Sequence, residues 1–559
     1  MENSTSVHGN IIDLPQQRIG CGTVFIRNGK IERIDWTPDD LSDHSAGLPF
    51  ILPGFVDAHV HIESSMLTPV QFARLAVVHG TVATVSDPHE IGNVLGVAGV
   101  AYMIENGRQV PFKFCFGAPS CVPATAFETA GAAITVDDIE KLFQSYPEVG
   151  YLAEMMNFPG VLHQDPEVMA KIALAGRYHK PVDGHAPGLR GEAARQYIEA
   201  GMTTDHECFS LEEALDKLKF GMKILVREGS AAKNFEALAD LLHDHADQMM
   251  FCSDDKHPDS LVEGHINQLV KRALDKGIDL FKVLKAACLN PVRHYQLPVG
   301  LLQPGDPADF IVVDNLTDWN LLQTYADGQL VADRKPGGEV RSLIPHLPSR
   351  IVNRFSVSPK SPDQFQLPVS GAGNTRTVRV MEVLDGQLIT LSGTTEVPVI
   401  NDSLVSDPAA DVLKIVVVNR YQDTAPAVAF IRHFGLQRGA IASSVAHDSH
   451  NMIAVGVSDE MIGKAINCLI RAGGGIAAVD EREEMTLPLP IAGLMSEQDG
   501  YWVAGQYARL DTLAKNMGSR LQAPFMSLSF MALLVIPSLK LSDRGLFDGD
   551  TFTFVPVVL

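Results

Sequence analysis

From about residue 51 to residue 300, short apolar runs rich in β-formers alternate with longer stretches in which apolar residues recur every three or four positions. This alternation predicts strands, each followed by an amphipathic helix, packed as βα units on a parallel sheet. Eight runs qualify: FVDAHVHI (55–62), TVATVSD (81–87), FKFCFGA (112–118), VGYLAEMM (149–156), PVDGHAP (181–187), MTTDHECF (202–209), MKILVREG (222–229) and MMFCSDD (249–255). Eight βα units in about 250 residues is the length of one (β/α)8 TIM-like barrel. Asp, Glu and His collect near the C-terminal end of each run, the end at which such barrels build active sites.

Residues 20–36 and 299–334 read as short strands with turns. Because they flank the barrel on both sides, they are expected to pair into one small β-domain. A proline-rich stretch (Pro345, Pro348, Pro359, Pro362) precedes a second β-rich region containing TVRVMEVL and DVLKIVVVNR. The expected division is 1–50 with 301–345 as the composite β-domain, 51–300 as the barrel, and 346–559 as a C-terminal α/β domain.

Composition narrows the partners. With 46% hydrophobic and 20% charged residues, fibrous and disordered classes are excluded. The balance of 45 Lys+Arg against 67 Asp+Glu gives a net charge of −22, and no local basic patch offsets it. Nucleic acid and anionic membranes are therefore not expected as partners. The seven cysteines are scattered and form no C-x-x-C, which speaks against a disulfide framework or thiolate zinc site and fits a reducing cytoplasm. The N-terminal segment has no signal-peptide pattern, and the longest apolar stretch, Phe530 to Ile536, is far short of the roughly 20 residues that span a bilayer. A soluble cytoplasmic protein is expected.

The sharpest chemical feature is His59-Val60-His61. On a strand, residues i and i+2 face one side, so the two imidazoles can hold one metal ion. Alone the pair is weak, since 19 histidines in 559 residues give about 0.6 such matches by chance. A second pair, His243-Asp244-His245, reads as an exposed helical face. His59 and His61 differ by their company at later strand ends: Glu154 on the fourth, His185 on the fifth, His206 on the sixth and Asp254 on the eighth. Each alone is equally a buried hydrogen-bonded group or a helix cap. Together, six hard or borderline ligands suit two divalent cations. The H-x-E of zinc cytidine-type deaminases occurs at His61-Ile62-Glu63, but no P-C-x-x-C accompanies it, so that chemistry is excluded.

PGFVDAHVHIESSMLTP, LAEMM, GHAPG, DHE and FCSDD resemble the amidohydrolase superfamily. HIESSM, DPHE and REGSAAKN narrow the resemblance to its bacterial adenine deaminase branch, and it runs on through SCVPAT, NPVRHY, GLLQPGDPADFIV and GAIASSVAHDSHNM. The resemblance implies that His59 and His61 hold the buried metal, that Glu154 bridges where many relatives carry a carboxylated lysine, that His185 and His206 hold the second metal, and that Asp254 completes the set. It implies Mn²⁺ first, with Fe²⁺ or Zn²⁺ as alternatives, and a homo-oligomer, such as a dimer. Two cations sharing a water lower its pKa, and Asp254 would take its proton and return it to the leaving amine. For a 6-aminopurine, attack at C6 and loss of ammonia leave the 6-oxo base.

Other strand-end residues are candidates for reading the substrate. Glu207 is a candidate acid for N1 or, equally, a salt-bridge partner. Asp87, His89 and Glu90 after the second strand, Arg227, Glu228 and Ser230 at the seventh, and Asp255 are candidate substrate contacts, each with a capping or ion-pairing alternative. The cluster His447-Asp448-Ser449-His450-Asn451 reads first as a hydrogen-bonded strand turn, with closure over the barrel mouth as the open alternative. Three functions are carried: deamination of adenine to hypoxanthine in purine salvage; hydrolysis of another aminopurine or cyclic amide by the same centre; and a non-catalytic metal-binding barrel, which the complete ligand set opposes.

Overall fold

The computed structural model describes residues 4–37, 47–371 and 373–559. At its centre lie eight parallel strands: β1 (Phe55–Val60), β2 (Thr81–Ser86), β3 (Lys113–Ala118), β4 (Val149–Met155), β5 (Val182–Gly184), β6 (Met202–Asp205), β7 (Lys223–Arg227) and β8 (Met249–Cys252). They neighbour one another in chain order. A parallel bridge between Val60 and Asp254, with the Asp254 N–H donating to the His59 carbonyl at 2.9 Å, closes the barrel. Each of the eight apolar runs forms a strand of it. Alternate residues of β1 (Val56, Ala58), β2 (Ala83, Val85), β4 (Tyr151, Ala153) and β8 (Met250, Cys252) fill one apolar cluster with Tyr295 and Val299, as period-two strands require.

The connecting helices carry the local signals that start them. Asp165 caps Pro166–Arg177 by accepting from the Glu167 and Val168 N–H groups, and Pro166 occupies the first turn. Ser210 caps Leu211–Lys219 in the same way through the Glu213 N–H.

Segments from both sides of the barrel join in an eight-stranded sheet, where Phe310–Val313 pairs antiparallel with Phe50–Pro53. This sheet is larger than the flanking runs predict, because Ser4–Asp13 also pairs with Arg18–Arg27 along its whole length. The C-terminal region forms a ten-stranded, mostly antiparallel sheet with the helix Asp459–Ala472 packed against it. Of the pair His243 and His245, which share a short helix, His243 is exposed as its pattern predicts and His245 is half-buried. Among the described residues, no helix is long and apolar enough to cross a membrane.

The C-terminal region is tied to loops at the barrel's C-terminal face. Asn451 Nδ2 donates to the Thr129 carbonyl at 2.9 Å, the Thr129 N–H donates to Asp543 at 2.9 Å, and the Ser496 N–H donates to Met66 at 2.9 Å.

Candidate active site at the barrel mouth

His59 lies on β1, Glu154 on β4, and His61, His185, His206 and Asp254 stand one or two residues past their strands. Clean pleating alone does not bring them together. The β1–β2 pairing shifts register between Asp57 and Val60, and the β4–β5 pairing shifts between Leu152 and Met155. Such irregularities re-aim side chains beside active sites. Asp254 adopts a left-handed backbone (φ 53°), a conformation that short polar residues tolerate.

The result is a buried convergence of donor atoms. His59 Nε2 and His61 Nε2 are 3.2 Å apart, and Asp254 Oδ1 lies 3.5 Å from the first and 3.2 Å from the second. Glu154 divides its oxygens: Oε1 faces His61 Nε2 at 3.2 Å, while Oε2 faces His185 Nδ1 at 2.7 Å and His206 Nε2 at 3.2 Å. Donors bound to one ion at about 2.1 Å stand about 3.0–3.4 Å apart, where most of these separations fall, with the 2.7 Å His185–Glu154 and 3.5 Å His59–Asp254 contacts just outside. These residues therefore fit a divalent metal site.

The surroundings orient and charge the donors. His61 Nδ1 donates to the Asp87 carbonyl at 3.2 Å, which turns Nε2 toward the other donors. Burial pushes the Glu154 pKa up, but the charge of His185 and the hydrogen bonds of His185, His206 and His61 hold it well below the usual carboxylate range. Burial likewise opposes ionisation of Asp254, yet the Arg227 charge and the bonds from His59 and His61 keep it well below. Burial lowers the His206 pKa, and the Glu154 contact overrides this, bringing it to about 9. This concentration of carboxylate charge suits a bound cation.

Arg227, fully buried at the end of β7, donates to both oxygens of Glu207 and, at 2.7 Å, to Asp254 Oδ2. A buried guanidinium is tolerated only when so paired. The contacts of Glu207 are those of the salt-bridge alternative, and it also lines the cavity 3.4 Å from His206 Nε2. Asp87 holds His89, accepting its backbone N–H at 3.0 Å and standing 3.2 Å from its Nδ1. His89 reaches within 3.5 Å of Glu154 Oε1, and His61, Asp87, His89 and Glu154 form a further group of potential ligand atoms. Asp255 lines the cavity and shares the single Ser64 hydroxyl proton with Glu90, whose Oε1 lies 2.9 Å from Ser64 Oγ.

Two candidates lie elsewhere. Glu228 turns away to Arg272 at 2.8 Å, because consecutive residues at a strand end face opposite sides. Ser230 accepts from the His257 N–H at 2.8 Å and meets Ser260, holding the loop together outside the cavity. Their contacts are those of the ion-pairing and capping alternatives.

The mouth is closed from the C-terminal region. His447 and Asp448, on the connection between the paired strands Ala440–Ser443 and Met452–Gly456, line the same cavity, as do Leu388, Phe530 and Leu533. Closure over the mouth, the less favoured reading of that motif, is the one realised. Its only sequence signal is the density of polar residues within an apolar segment. Lys217 was also unforeseen: it donates to Asp205 at 2.9 Å and to the Ala186 carbonyl at 2.7 Å, joining the loops that carry His185 and His206.

Glu128, buried within the electrostatic reach of Asp448, accepts from Thr125 Oγ1 at 3.0 Å. Burial, and then the Asp448 charge, raise its pKa from an ordinary 4.5 to about 8. The folded state thus holds a proton that the unfolded state has lost, and stability falls as pH rises between those two values. Glu128→Gln removes that loss. It is expected to raise the unfolding temperature by a few degrees at about pH 9 and to give no stabilisation near pH 4. Differential scanning calorimetry at the two pH values checks this, and equal effects at both would refute it.

A closed parallel barrel with a buried imidazole–carboxylate group at its C-terminal mouth defines a metal-dependent hydrolase of the amidohydrolase type, and the Amidohydrolase family matches residues 50–334. The Adenine deaminase C-terminal domain matches residues 387–553. The chain is 54% identical to an adenine deaminase of Salinibacter ruber over 99% of both chains, and 55% identical to one of Sulfurovum sp. over 98% of both. It belongs to the adenine deaminase family. Among solved structures, a beta-aspartyl dipeptidase of Fervidobacterium islandicum aligns over 59% of this chain and 97% of its own, at 17% identity and a TM-score of 0.46.

Proposed function

We propose that the protein hydrolyses adenine to hypoxanthine and ammonia with two divalent ions, supplied first as Mn²⁺, in cytoplasmic purine salvage. The observation that carries the two-ion reading is the division of Glu154 between His61 on one side and His185 with His206 on the other. His59, His61 and Asp254 would hold one ion, and His185 and His206 the other, with Glu154 shared. When bound, such ions supply Lewis acidity that lets water ionise at neutral pH.

The chain's own groups do the rest. Asp254 is kept anionic by Arg227 and is thus ready to accept a proton from the attacking water. Handing that proton to the departing amine completes the exchange of nitrogen for oxygen at C6. Glu207 and Arg227 fix the position of Asp254 through their paired charges. Burial of the whole cluster excludes bulk water, which strengthens every charge interaction within it.

The test is conversion of adenine by protein expressed with Mn²⁺ supplied and iron restricted, followed by ultraviolet absorbance and ammonia release. Turnover that a chelator abolishes and Mn²⁺ restores, with about two ions per chain, is expected. Metal-loaded protein inert toward adenine but active on another aminopurine or cyclic amide would replace the substrate.

A further inference from the structure

This inference rests on the adenine reading above and concerns how the base is gripped. We propose that His447 and Asp448 bind the imidazole edge of the purine, so that the C-terminal region supplies substrate recognition to the barrel's chemistry.

Both side chains line the cavity that also holds His61, Glu154, His185, His206 and Asp254. Each uses one polar atom toward the loop after β2: His447 Nδ1 stands 3.5 Å from Glu90 Oε1, and Asp448 Oδ1 stands 3.6 Å from His89 Nε2. The other atom of each, His447 Nε2 and Asp448 Oδ2, is buried without a hydrogen-bond partner, His447 Nε2 standing 3.9 Å from Asp255 Oδ1, too far for a hydrogen bond. A buried polar atom left unpaired is uncompensated desolvation, and at a cavity wall it points to a ligand.

A loose loop does not explain these unpaired atoms. Tyr421 Oη donates to the Ser449 carbonyl at 2.6 Å, the His450 N–H donates to Ala446 at 2.8 Å, the Ala446 N–H donates to His450 Nδ1 at 3.2 Å, and Ser529 Oγ donates to Val445 at 2.6 Å. The segment is thus held from several sides, which is how a preorganised recognition group is built.

The chemistry matches one end of adenine. With C6 directed to the metal ligands, the five-membered ring lies to one side with N7 beside the 6-amino group and N9 farther off, and the two offer one N–H and one bare nitrogen. A carboxylate accepts the N–H, and an imidazole donates to the bare nitrogen. Leu388, Phe530 and Leu533 line the same cavity, which at about 20 Å³ must widen to admit a flat ring against them.

The experiment uses the metal-loaded protein and its Asp448→Asn and His447→Gln variants. Three quantities are read: ions per chain, KM and kcat for adenine, and the inhibition constants of hypoxanthine and 4(3H)-pyrimidinone. The last keeps the six-membered amide ring and lacks the imidazole. In the wild type, hypoxanthine is expected to bind at least about tenfold tighter than pyrimidinone, because a site built to hydrogen-bond a group rejects the analogue without it. In both variants the ion content stays at the wild-type level, hypoxanthine inhibition and adenine KM weaken at least about tenfold, and pyrimidinone inhibition changes less than about twofold. Equal weakening of both inhibitors, no weakening of either, or loss of ions would overturn the proposal. Wild-type protein that fails to deaminate adenine would overturn the proposed function with it, whereas active wild type with unaffected variants overturns this inference alone.

Discussion

Asp254→Asn is expected to lower kcat for adenine at least about 10³-fold while leaving most of the bound metal in place. The amide keeps the size of the carboxylate and its carbonyl oxygen, so the contact toward His59 and His61 survives in part. It has no basicity and cannot carry the proton from water to amine. Arg227 also loses one of its two anionic partners, so its contact with Glu207 becomes its remaining ion pair. Steady-state absorbance together with metal analysis separates the two effects. Near-normal turnover would remove Asp254 from proton transfer, and complete loss of metal would make it a ligand first and a proton carrier second.

Glu154→Gln is expected to reduce bound metal from about two ions to about one or fewer per chain, and turnover at least about 10³-fold. A carboxylate can face two ligand groups with two equivalent anionic oxygens, as Glu154 does. A glutamine offers one neutral oxygen and an NH₂ with no lone pair for a cation. The NH₂ would face either His61 or the pair His185 and His206, which would lose the acceptor that now lies within 3.2 Å. Metal analysis after gel filtration checks the outcome, and a variant that keeps both ions would show that Glu154 does not bridge.

Asp254 and Glu154 are both legible in the amino-acid sequence as strand-end carboxylates. The barrel is legible because each βα unit is written locally: a β-rich apolar run, a turn, and a helix with period 3.6. Histidines and carboxylates at the ends of those runs are legible for the same reason, since strand direction puts every run's C-terminal end on one face. Residues whose role depends on which way a side chain turns after the strand stops are not. Arg227 and Glu228 are neighbours, yet one turns inward to Glu207 and Asp254 and the other outward to Arg272. The ten-residue strand Ser4–Asp13 escapes sequence reading as well, because its polar composition (STSVHGNIID) carries little apolar alternation and its pairing partner supplies the order.

Periodicity and strand polarity act over a few residues at a time, so the eight-unit barrel, the ends at which chemistry gathers and the six candidate donors at those ends are written locally in the chain. Which donor atoms meet, the stitching of two loops by Lys217, and the closure of His447 and Asp448 over the mouth from far along the chain belong to the folded molecule. Those outcomes depend on register shifts in β1 and β4 and on packing between distant segments, where no local pattern reaches.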